Sequence, residues 1–295
     1  MPSILVLFIS IISCITESEK EKDPVLSFFE PAFSAGIIQN QELQEASGLV
    51  ASRQNPGLFW VINDSGNEAK LFLINNKAET IHSYELENCE NNDWEDLAIY
   101  NDKVSGKHKL IIGDIGDNFS SREDIKIIIL DEPRFVDQKD SLINNYNIYS
   151  FNYKDGARDA ETIIYDPISS KLLIISKREE NVGLYEVPDN YSETETKELL
   201  HIINLPFNNL TSGDITIDGN EVLLKTYDAI YFWQRNIDVS ILDVLSKDHQ
   251  SVDYKIEPQG ESICWDINGE GFYTLSERSW ASNQVLYYYK RKSNN

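Results

Sequence analysis

The chain has 295 residues, of which 41% are hydrophobic, so it is long enough to bury a sizeable core. Its formal net charge of −23 argues against a nucleic-acid partner, because no basic stripe offsets the negative field. Four histidines and three cysteines without a Cys-x-x-Cys spacing argue against a zinc site.

The first residues have the features of an export signal followed by a lipidation site. Ile4–Ile12 is an apolar run too short to span a bilayer as a mature helix. It runs into Ile11-Ile-Ser-Cys14, which resembles the bacterial lipobox and implies that Cys14 is lipidated and becomes the mature N-terminus. Residues 1–3 lack the usual Lys or Arg, so a buried N-terminal strand is the alternative.

The rest of the chain is predicted to form one domain behind a tether. We expect a signal peptide over residues 1–14, a charged tether over 15–24 and a single domain over 25–295. Lipidation would anchor this domain to the bacterial cell envelope, at the outer membrane or the cell surface. No membrane contact beyond the lipid is expected, and we expect a monomer.

After the tether, nearly every periodic stretch has the length of a strand and is rich in Ile, Tyr, Phe and Trp. Five segments open with a small or acidic residue and continue into an apolar strand, at intervals of roughly 50 to 65 residues; they start at Ser47, Glu95, Glu161, Gly213 and Glu261. Repeats of this length predict four-stranded units. The predicted fold is therefore an all-β β-propeller.

Each predicted unit holds four strands, except the last, which holds three. In chain order we place them at 47–52, 58–63, 70–75 and 80–86; 96–101, 109–113, 125–131 and 147–153; 162–166, 171–177, 183–187 and 198–205; 214–218, 221–227, 229–235 and 251–256; and 262–266, 271–276 and 284–291. A short helix is predicted at 239–246.

The three-stranded last unit predicts that the N-terminal part of the domain closes the ring. Either Val25–Phe29 or Phe33–Ile38 is expected to add the missing outer strand, because closure hides edges that an open ring would expose. The count predicts five blades. Six blades are the alternative, if the long second unit contains an additional one.

Propeller geometry brings the starts of the first strands and the ends of the second strands to one mouth. Carboxylates that converge there cannot all ionise unless a cation neutralises them, and oxygen ligands from several loops suit Ca²⁺. We therefore predict a metal site. Alternatively, these side chains are solvated or bind backbone amides of neighbouring blades. The predicted ligands are Ser47, Glu95, Glu161, Ser212 or Asp214, and Glu261.

The ends of the second strands add a further polar ring with candidate catalytic groups. Acidic residues there are candidate general bases, and basic residues are candidate clamps for a phosphate or carboxylate substrate. The candidate bases are Asp64, Asp114 and Asp117, and the candidate clamps are Lys177, Arg178 and Arg278. The chain has no GxxxxGK[ST], GxGxxG, GxSxG or HExxH motif.

One residue of the ligand ring per unit also carries a family resemblance. The order Ser47, Glu95, Glu161, Ser212, Glu261 resembles the calcium-activated nucleotidases (apyrases), which are five-bladed propellers with an axial Ca²⁺. The motifs Asn-Asp-Ser-Gly, Asp-Trp-Glu-Asp, Gly-Asp-Ile-Gly-Asp-Asn and Asp-Ala-Glu are similar to a group of uncharacterised bacterial secreted propellers. Phytase-like and lactonase-like propellers are more loosely similar. The resemblance implies Ca²⁺ held by these five residues, and phosphoester or phosphoanhydride hydrolysis without nucleotide specificity.

Two functions follow from these patterns. The first is a Ca²⁺-dependent hydrolase of small phosphate-containing molecules, with lactones as another substrate class. The second is a non-enzymatic, calcium-stabilised propeller that binds a glycan, peptide or protein outside the cytoplasm. The aromatic residues of the last unit motivate the second function, although they also suit a blade core; they are Trp265, Trp280 and Tyr287 to Tyr289.

Overall fold

The computed structural model describes residues 28–136, 141–280 and 282–293. The predicted signal peptide, Cys14, the charged tether and most of the segment Val25–Phe29 lie outside these residues. Within the described part the fold is all-β and β-propeller-like, with a single short helix. No helix there is long and apolar enough to cross a membrane.

The strands follow the predicted repeats closely. In chain order they are β1 (Phe33–Ile37), β2 (Ala46–Ala51), β3 (Leu58–Asn63), β4 (Lys70–Asn75), β5 (Thr80–Leu86), β6 (Trp94–Asn101), β7 (His108–Asp114), β8 (Ile125–Asp131), β9 (Leu142–Ile143), β10 (Tyr146–Tyr153), β11 (Ala160–Asp166), β12 (Lys171–Ser176), β13 (Val182–Glu186), β14 (Lys197–Leu205), β15 (Leu210–Ile215), β16 (Glu221–Thr226), β17 (Ile230–Gln234), β18 (Gln250–Ser251), β19 (Gly260–Trp265), β20 (Gly271–Ser276) and β21 (Val285–Lys290). Helix α1 (Ile241–Leu245) precedes β18.

These strands form antiparallel units of four. The units are β2-β3-β4-β5, β6-β7-β8-β10, β11-β12-β13-β14, β15-β16-β17-β18 and β19-β20-β21-β1. Parallel pairing of β10 with β14 joins the second and third units into one eight-stranded sheet. The first strands contact one another in a closed cycle, in the order β2, β6, β11, β15, β19 and back to β2.

The N-terminal strand completes the last unit. β1 pairs antiparallel with β21, so that Phe33 lies opposite Tyr288 and Ile37 opposite Val285. The missing fourth strand is therefore supplied by the second of the two predicted segments. Phe29 makes only an isolated bridge to Arg291. This pairing covers the outer edge of β21.

Three local features differ from the predicted pattern. The fourth strand of the fourth unit is reduced to β18, and the segment up to Ile256 that was predicted to continue it is not a strand. Helix α1 is shorter than predicted and begins after Ser240, whose side chain accepts a hydrogen bond from the Asp243 amide. In the long second unit, β9 pairs in parallel with β5 at the outer edge of the first unit.

The hydrophobic core lies between neighbouring units, because the inner strands are buried on both faces. Trp60 and Trp94 are fully buried in the cluster between the first and second units. Between the third and fourth units, the Arg235 guanidinium binds both oxygens of buried Asp166, at 2.7 and 3.1 Å. Cys89 and Cys264 pack in or against different clusters, and both are free thiols.

Candidate metal centre

Each first strand carries a β-bulge close to its N-terminal end. In every unit the pairing with the second strand skips one residue at the same place. A bulged residue is released from the ladder and its side chain is re-aimed. The five bulged residues are Ser47, Glu95, Glu161, Thr211 and Glu261.

In the fourth unit the structure places Thr211 at the bulge, not the predicted Ser212 or Asp214. The Thr211 hydroxyl donates to the Gly260 carbonyl oxygen at 3.3 Å. Ser212 is one residue further along and donates to Asp96 Oδ1 at 3.1 Å. Asp214 is further still and accepts from the backbone amide of Trp265 at 2.8 Å. Ser212 and Asp214 are therefore deeper in the ring than the other predicted ligands.

The residues that follow the second strands form a second ring beside the bulges. On each second strand, one residue pairs with the residue just before the bulged one, and the ring member is the next residue along the chain. This ring contains two of the predicted catalytic residues, Asp64 and Lys177. Its members are Asp64, Ile115, Lys177, Tyr227 and Glu277.

The other predicted catalytic residues have different surroundings. Asp114 Oδ1 forms a salt bridge with Arg122 Nη1 at 2.8 Å, and Asp117 Oδ2 accepts a hydrogen bond from the Arg122 amide at 2.8 Å, so Arg122 contacts both carboxylates. Arg178 is exposed at the rim and its Nε lies 2.5 Å from Asp159 Oδ2. Arg278 is also exposed and donates to the Gln41 side chain at 2.8 Å.

Carboxylates converge at the mouth in two overlapping groups of three. Asp64, Asp93 and Glu95 form the first group, and Glu95, Asp159 and Glu161 form the second. In each group, one oxygen from every residue lies within 4.8 Å of the others. Carboxylate oxygens at such spacing are a donor set that suits a hard divalent cation.

Asp93 and Asp159 were not predicted as site residues. Each lies two positions before a bulged glutamate, in Asp93-Trp-Glu95 and Asp159-Ala-Glu161. The acid-x-Glu spacing is visible in the sequence and could have identified both residues. Tyr227 and Gly116 carry no comparable signal.

The two carboxylate groups differ in how their charge is compensated. Lys177 Nζ pairs with Glu161 Oε1, and Arg178 pairs with Asp159, so two cations serve the second group. Among the described residues, no Lys or Arg forms a salt bridge with a member of the first group, Asp64, Asp93 and Glu95. An added cation would therefore be attracted most strongly to the first group, whose negative charge is least compensated.

Burial and mutual repulsion raise the pKa values of these carboxyl groups and so favour their protonated forms. Burial raises the pKa of Asp64 to about 7 and also raises that of Asp93. Burial, and then repulsion from Glu161, raises the pKa of Glu95 well above its usual range. For Glu161, burial outweighs the opposing effect of Lys177, so its pKa is raised as well. A metal ion would displace these protons.

Two further observations fit a bound cation. Glu161 Oε2 is buried and has no hydrogen-bond partner in the described part of the chain, which is costly unless another group binds it. A Cβ atom at Gly116 would lie 2.1 Å from Glu95 Oε1 and 2.5 Å from Asp93 Oδ2. Glycine at this position therefore leaves room for both carboxylates in their present positions.

A hydrogen-bond relay connects the second carboxylate group, through Glu161 and Lys177, to Glu261. Lys177 Nζ donates to the Tyr227 hydroxyl at 2.8 Å, and that hydroxyl donates to Glu261 Oε1 at 2.7 Å. Glu277 lies next to Glu261, and burial followed by repulsion from Glu261 raises the pKa of Glu277 to about 9. The predicted ligand Glu261 thus lies at the mouth, where it accepts a hydrogen bond from Tyr227 and interacts with Glu277.

Comparison with known proteins finds similarity among solved structures. No protein-family model and no curated protein matches the chain. Among solved structures, a luciferin-regenerating enzyme aligns with a TM-score of 0.45 and 10% identity, over 86% of this chain and 94% of that one. The chemistry of the site must therefore be derived from its own residues.

Proposed function

We propose that the protein binds Ca²⁺ at the mouth of a five-bladed propeller and hydrolyses a small phosphate-containing molecule there. The observation that carries this proposal is the group Asp64, Asp93 and Glu95, which forms no salt bridge with a Lys or Arg of the described residues. It lies beside a second group that is already paired with Lys177 and Arg178. Carboxylates this close together are stable only when they hold protons or bind a cation.

The five-blade count is supported by the closed cycle of first strands. Each of the five four-stranded units contributes one strand to that cycle, and β1 supplies the fourth strand of the last unit. β9 extends the first unit and does not begin another one. We therefore interpret each unit as one blade.

Calcium is the divalent cation that fits the donors best. All of them are oxygens, and they come from separate loops that adapt to the 6–8 ligands that Ca²⁺ accepts, whereas Mg²⁺ demands a near-ideal octahedron. Asp64, Asp93 and Glu95 would hold the ion, with Glu161 Oε2 at its border. The Ser47 hydroxyl donates to the Trp94 carbonyl at 2.9 Å, which leaves its lone pairs available to a cation.

Hydrolysis would combine the ion with the groups on the rim. A bound Ca²⁺ would polarise a phosphoryl oxygen. Arg178 forms a salt bridge through Nε with Asp159 and donates a hydrogen bond through Nη2 to Asn118, which holds the guanidinium group while the side chain stays 47% exposed. Its remaining N–H groups can bind an anionic substrate. Asp64 is the one candidate base of the three that lies in the carboxylate cluster.

Calcium titration tests the metal site. We expect Ca²⁺, but not Mg²⁺ at equal concentration, to raise the melting temperature of the wild type. Glu95→Gln removes the residue shared by both groups and should abolish the rise, whereas Glu198→Gln, an exposed acid on β14, should preserve it. A wild type whose melting temperature does not respond to Ca²⁺ would overturn the metal assignment.

Substrate assays test the reaction. Phosphomonoesters, phosphodiesters, phosphoanhydrides and lactones are each incubated with the wild type, with and without Ca²⁺. Ca²⁺-dependent hydrolysis of a phosphate substrate that is lost in Glu95→Gln supports the proposal. Calcium binding without hydrolysis of any phosphate substrate would refute the enzymatic half and favour the non-enzymatic binding propeller.

We further propose that the protein is exported and anchored through a lipid on Cys14. The support is the lipobox-like Ile11-Ile-Ser-Cys14 after a short apolar run. In a bacterial host, Cys14→Ser should abolish incorporation of labelled palmitate and release the protein from the membrane fraction. A Cys14→Ser protein that remains labelled would refute this anchor.

A further inference from the structure

A polar cleft lies at the mouth between the last and first units. Its volume is about 760 Å³, and it opens between the segment before β2 and the loop after β20. We propose that this cleft binds a saccharide. The residues that carry the argument are Gln41, Gln44, Glu45, Arg278, Trp280 and Asn283.

Trp280 is the first reason. Its relative exposure is 109%, whereas the other four tryptophans of the chain, at positions 60, 94, 233 and 265, are at most 3% exposed. A tryptophan with all of its ring in solvent contributes nothing to the core, although the last unit was expected to use its aromatic residues there. The ring is a large, rigid apolar surface with a polar N–H group, which suits stacking against a ligand.

The chemistry of the walls is the second reason. They consist of amide and hydroxyl side chains with one arginine and one glutamate, whose formal charges cancel, and the described lining residues include no aliphatic side chain. Several of these groups are already held in place: Arg278 donates to Gln41 at 2.8 Å, and Glu45 accepts from Asn67 at 2.6 Å. The Asn283 amide forms no hydrogen bond within the described residues, so it is free to bind a ligand.

These properties match a saccharide better than other ligands. A sugar ring presents an apolar C–H face to an aromatic ring and hydroxyl groups to amides, which both donate and accept hydrogen bonds. An apolar peptide would need aliphatic walls. A free anion would meet Glu45 and, next to Arg278, the acidic Glu277.

The cleft lies next to the carboxylate cluster. The Asp64 amide donates to the Glu45 carbonyl oxygen at 2.8 Å, so Glu45 borders both sites. A sugar stacked on Trp280 would therefore carry its substituent towards the metal centre, and the substrate class becomes a phosphate ester of a saccharide. That last step rests on the proposed function, whereas saccharide binding by the cleft does not.

The test measures binding of neutral disaccharides to the full chain. Cellobiose, maltose, lactose and N,N′-diacetylchitobiose are titrated while tryptophan fluorescence and binding heat are recorded. We expect at least one of them to bind and to shift the emission of the exposed indole. Trp280→Ala should weaken that binding about tenfold or more, and Trp280→Tyr should recover much of it.

Two variants separate this inference from the metal site. Phe119→Ala removes another exposed aromatic side chain, 90% exposed in the loop after β7, and should leave saccharide binding unchanged. Glu95→Gln should lose the Ca²⁺ response and keep saccharide binding. The inference is overturned if none of the four probes binds, or if Trp280→Ala binds as tightly as the wild type, whatever the calcium titration shows.

Discussion

The ammonium group of Lys177 pairs with the carboxylate of Glu161 and, at 2.8 Å, donates a hydrogen bond to the Tyr227 hydroxyl. The side chains of Lys177 and Glu161 are each only 6% exposed. Although burial opposes it, the Glu161 carboxylate raises the pKa of Lys177 and keeps the ammonium charged. Lys177 thus supplies a fixed positive charge to one side of the acidic ring, and the proposed Ca²⁺ would supply it to the other side.

Replacing Lys177 with methionine should destabilise the metal-free protein. Glu161 would remain buried without its partner, and breaking a buried ion pair on one side costs about 3–5 kcal/mol. The free energy of unfolding in urea, measured with a chelator present, checks this. Because the ring would then be more acidic, the stabilisation by Ca²⁺ should be larger in Lys177→Met than in the wild type.

The double variant Lys177→Met with Glu161→Gln is the control for that prediction. It removes both charges and should recover most of the lost stability without calcium. A double variant as unstable as Lys177→Met would show that the loss comes from packing of the lysine stem and not from the unpaired carboxylate.

Gly116→Ala should impair cation binding with little effect on the fold. The added methyl group would collide with Glu95 Oε1 and Asp93 Oδ2, and separating the two carboxylates should weaken Ca²⁺ binding about tenfold or more. Calorimetric titration with Ca²⁺ measures the change. Ser121→Ala, at an exposed position in the same loop, is the matched control and should bind as the wild type does.

The carboxylate cluster should make the metal-free protein less stable as the pH rises. The pKa of Asp64 is raised from its ordinary value of 3.8 to about 7, so between these values the folded state binds more protons than the unfolded state. Its contribution to stability is therefore complete below pH 3.8 and is lost as the pH rises through 7. Melting temperatures of the wild type and Asp64→Asn, compared from pH 4 to pH 8, should reveal the difference.

The effect of calcium should have the opposite pH dependence. Because the ion displaces protons, the rise in melting temperature that Ca²⁺ produces should grow over the same range. A calcium response that is equal at pH 5 and pH 8 would contradict protonation of the ligand carboxylates.

The buried pair Asp166–Arg235 should be a main link between the third and fourth units. Burial acts to raise the pKa of Asp166, but hydrogen bonds from Arg235 and Ser169 outweigh it and lower the pKa. Asp166→Ala should cost about 3–5 kcal/mol of unfolding free energy. The matched control is Arg291→Met, which breaks the more exposed pair with Glu221 and should cost clearly less.

The sequence predicts the strands well because each repeat couples alternating apolar residues to a turn. Asp218-Gly219 and Asn268-Gly269 are examples, since both glycines have the positive φ that such turns require. The outer edge of the fourth unit is harder to predict from sequence. Residues 251–256 have a strand-like composition, but only Ser251 belongs to a strand that pairs with the sheet. Pairing at an outer edge depends on tertiary contacts as well as on local pattern.

The candidate site was only partly predictable because of the bulges. The repeat pattern places Gly213 beside Ser47, two residues beyond Thr211, where the structure has the bulge, because a bulge breaks the period of two and its position cannot be read from the alternation. Asp93 and Asp159 lie before the strands proper, where period-two reasoning does not apply. The sequence indicates that Lys177 and Arg178 lie at the mouth. Which carboxylate each of them pairs with depends on three-dimensional distances.

The pairing of β1 with β21 makes the last unit depend on two segments that are far apart in the chain. β1 lies at residues 33–37 and β21 at residues 285–290, and chain entropy opposes such non-local pairing until the intervening units have folded. The carboxylate cluster draws residues from the first, second and third units, whereas the cleft draws them from the last and first. Loss of this one pairing would therefore open the unit that carries one wall of the cleft, while the strands that position the carboxylate cluster stay paired.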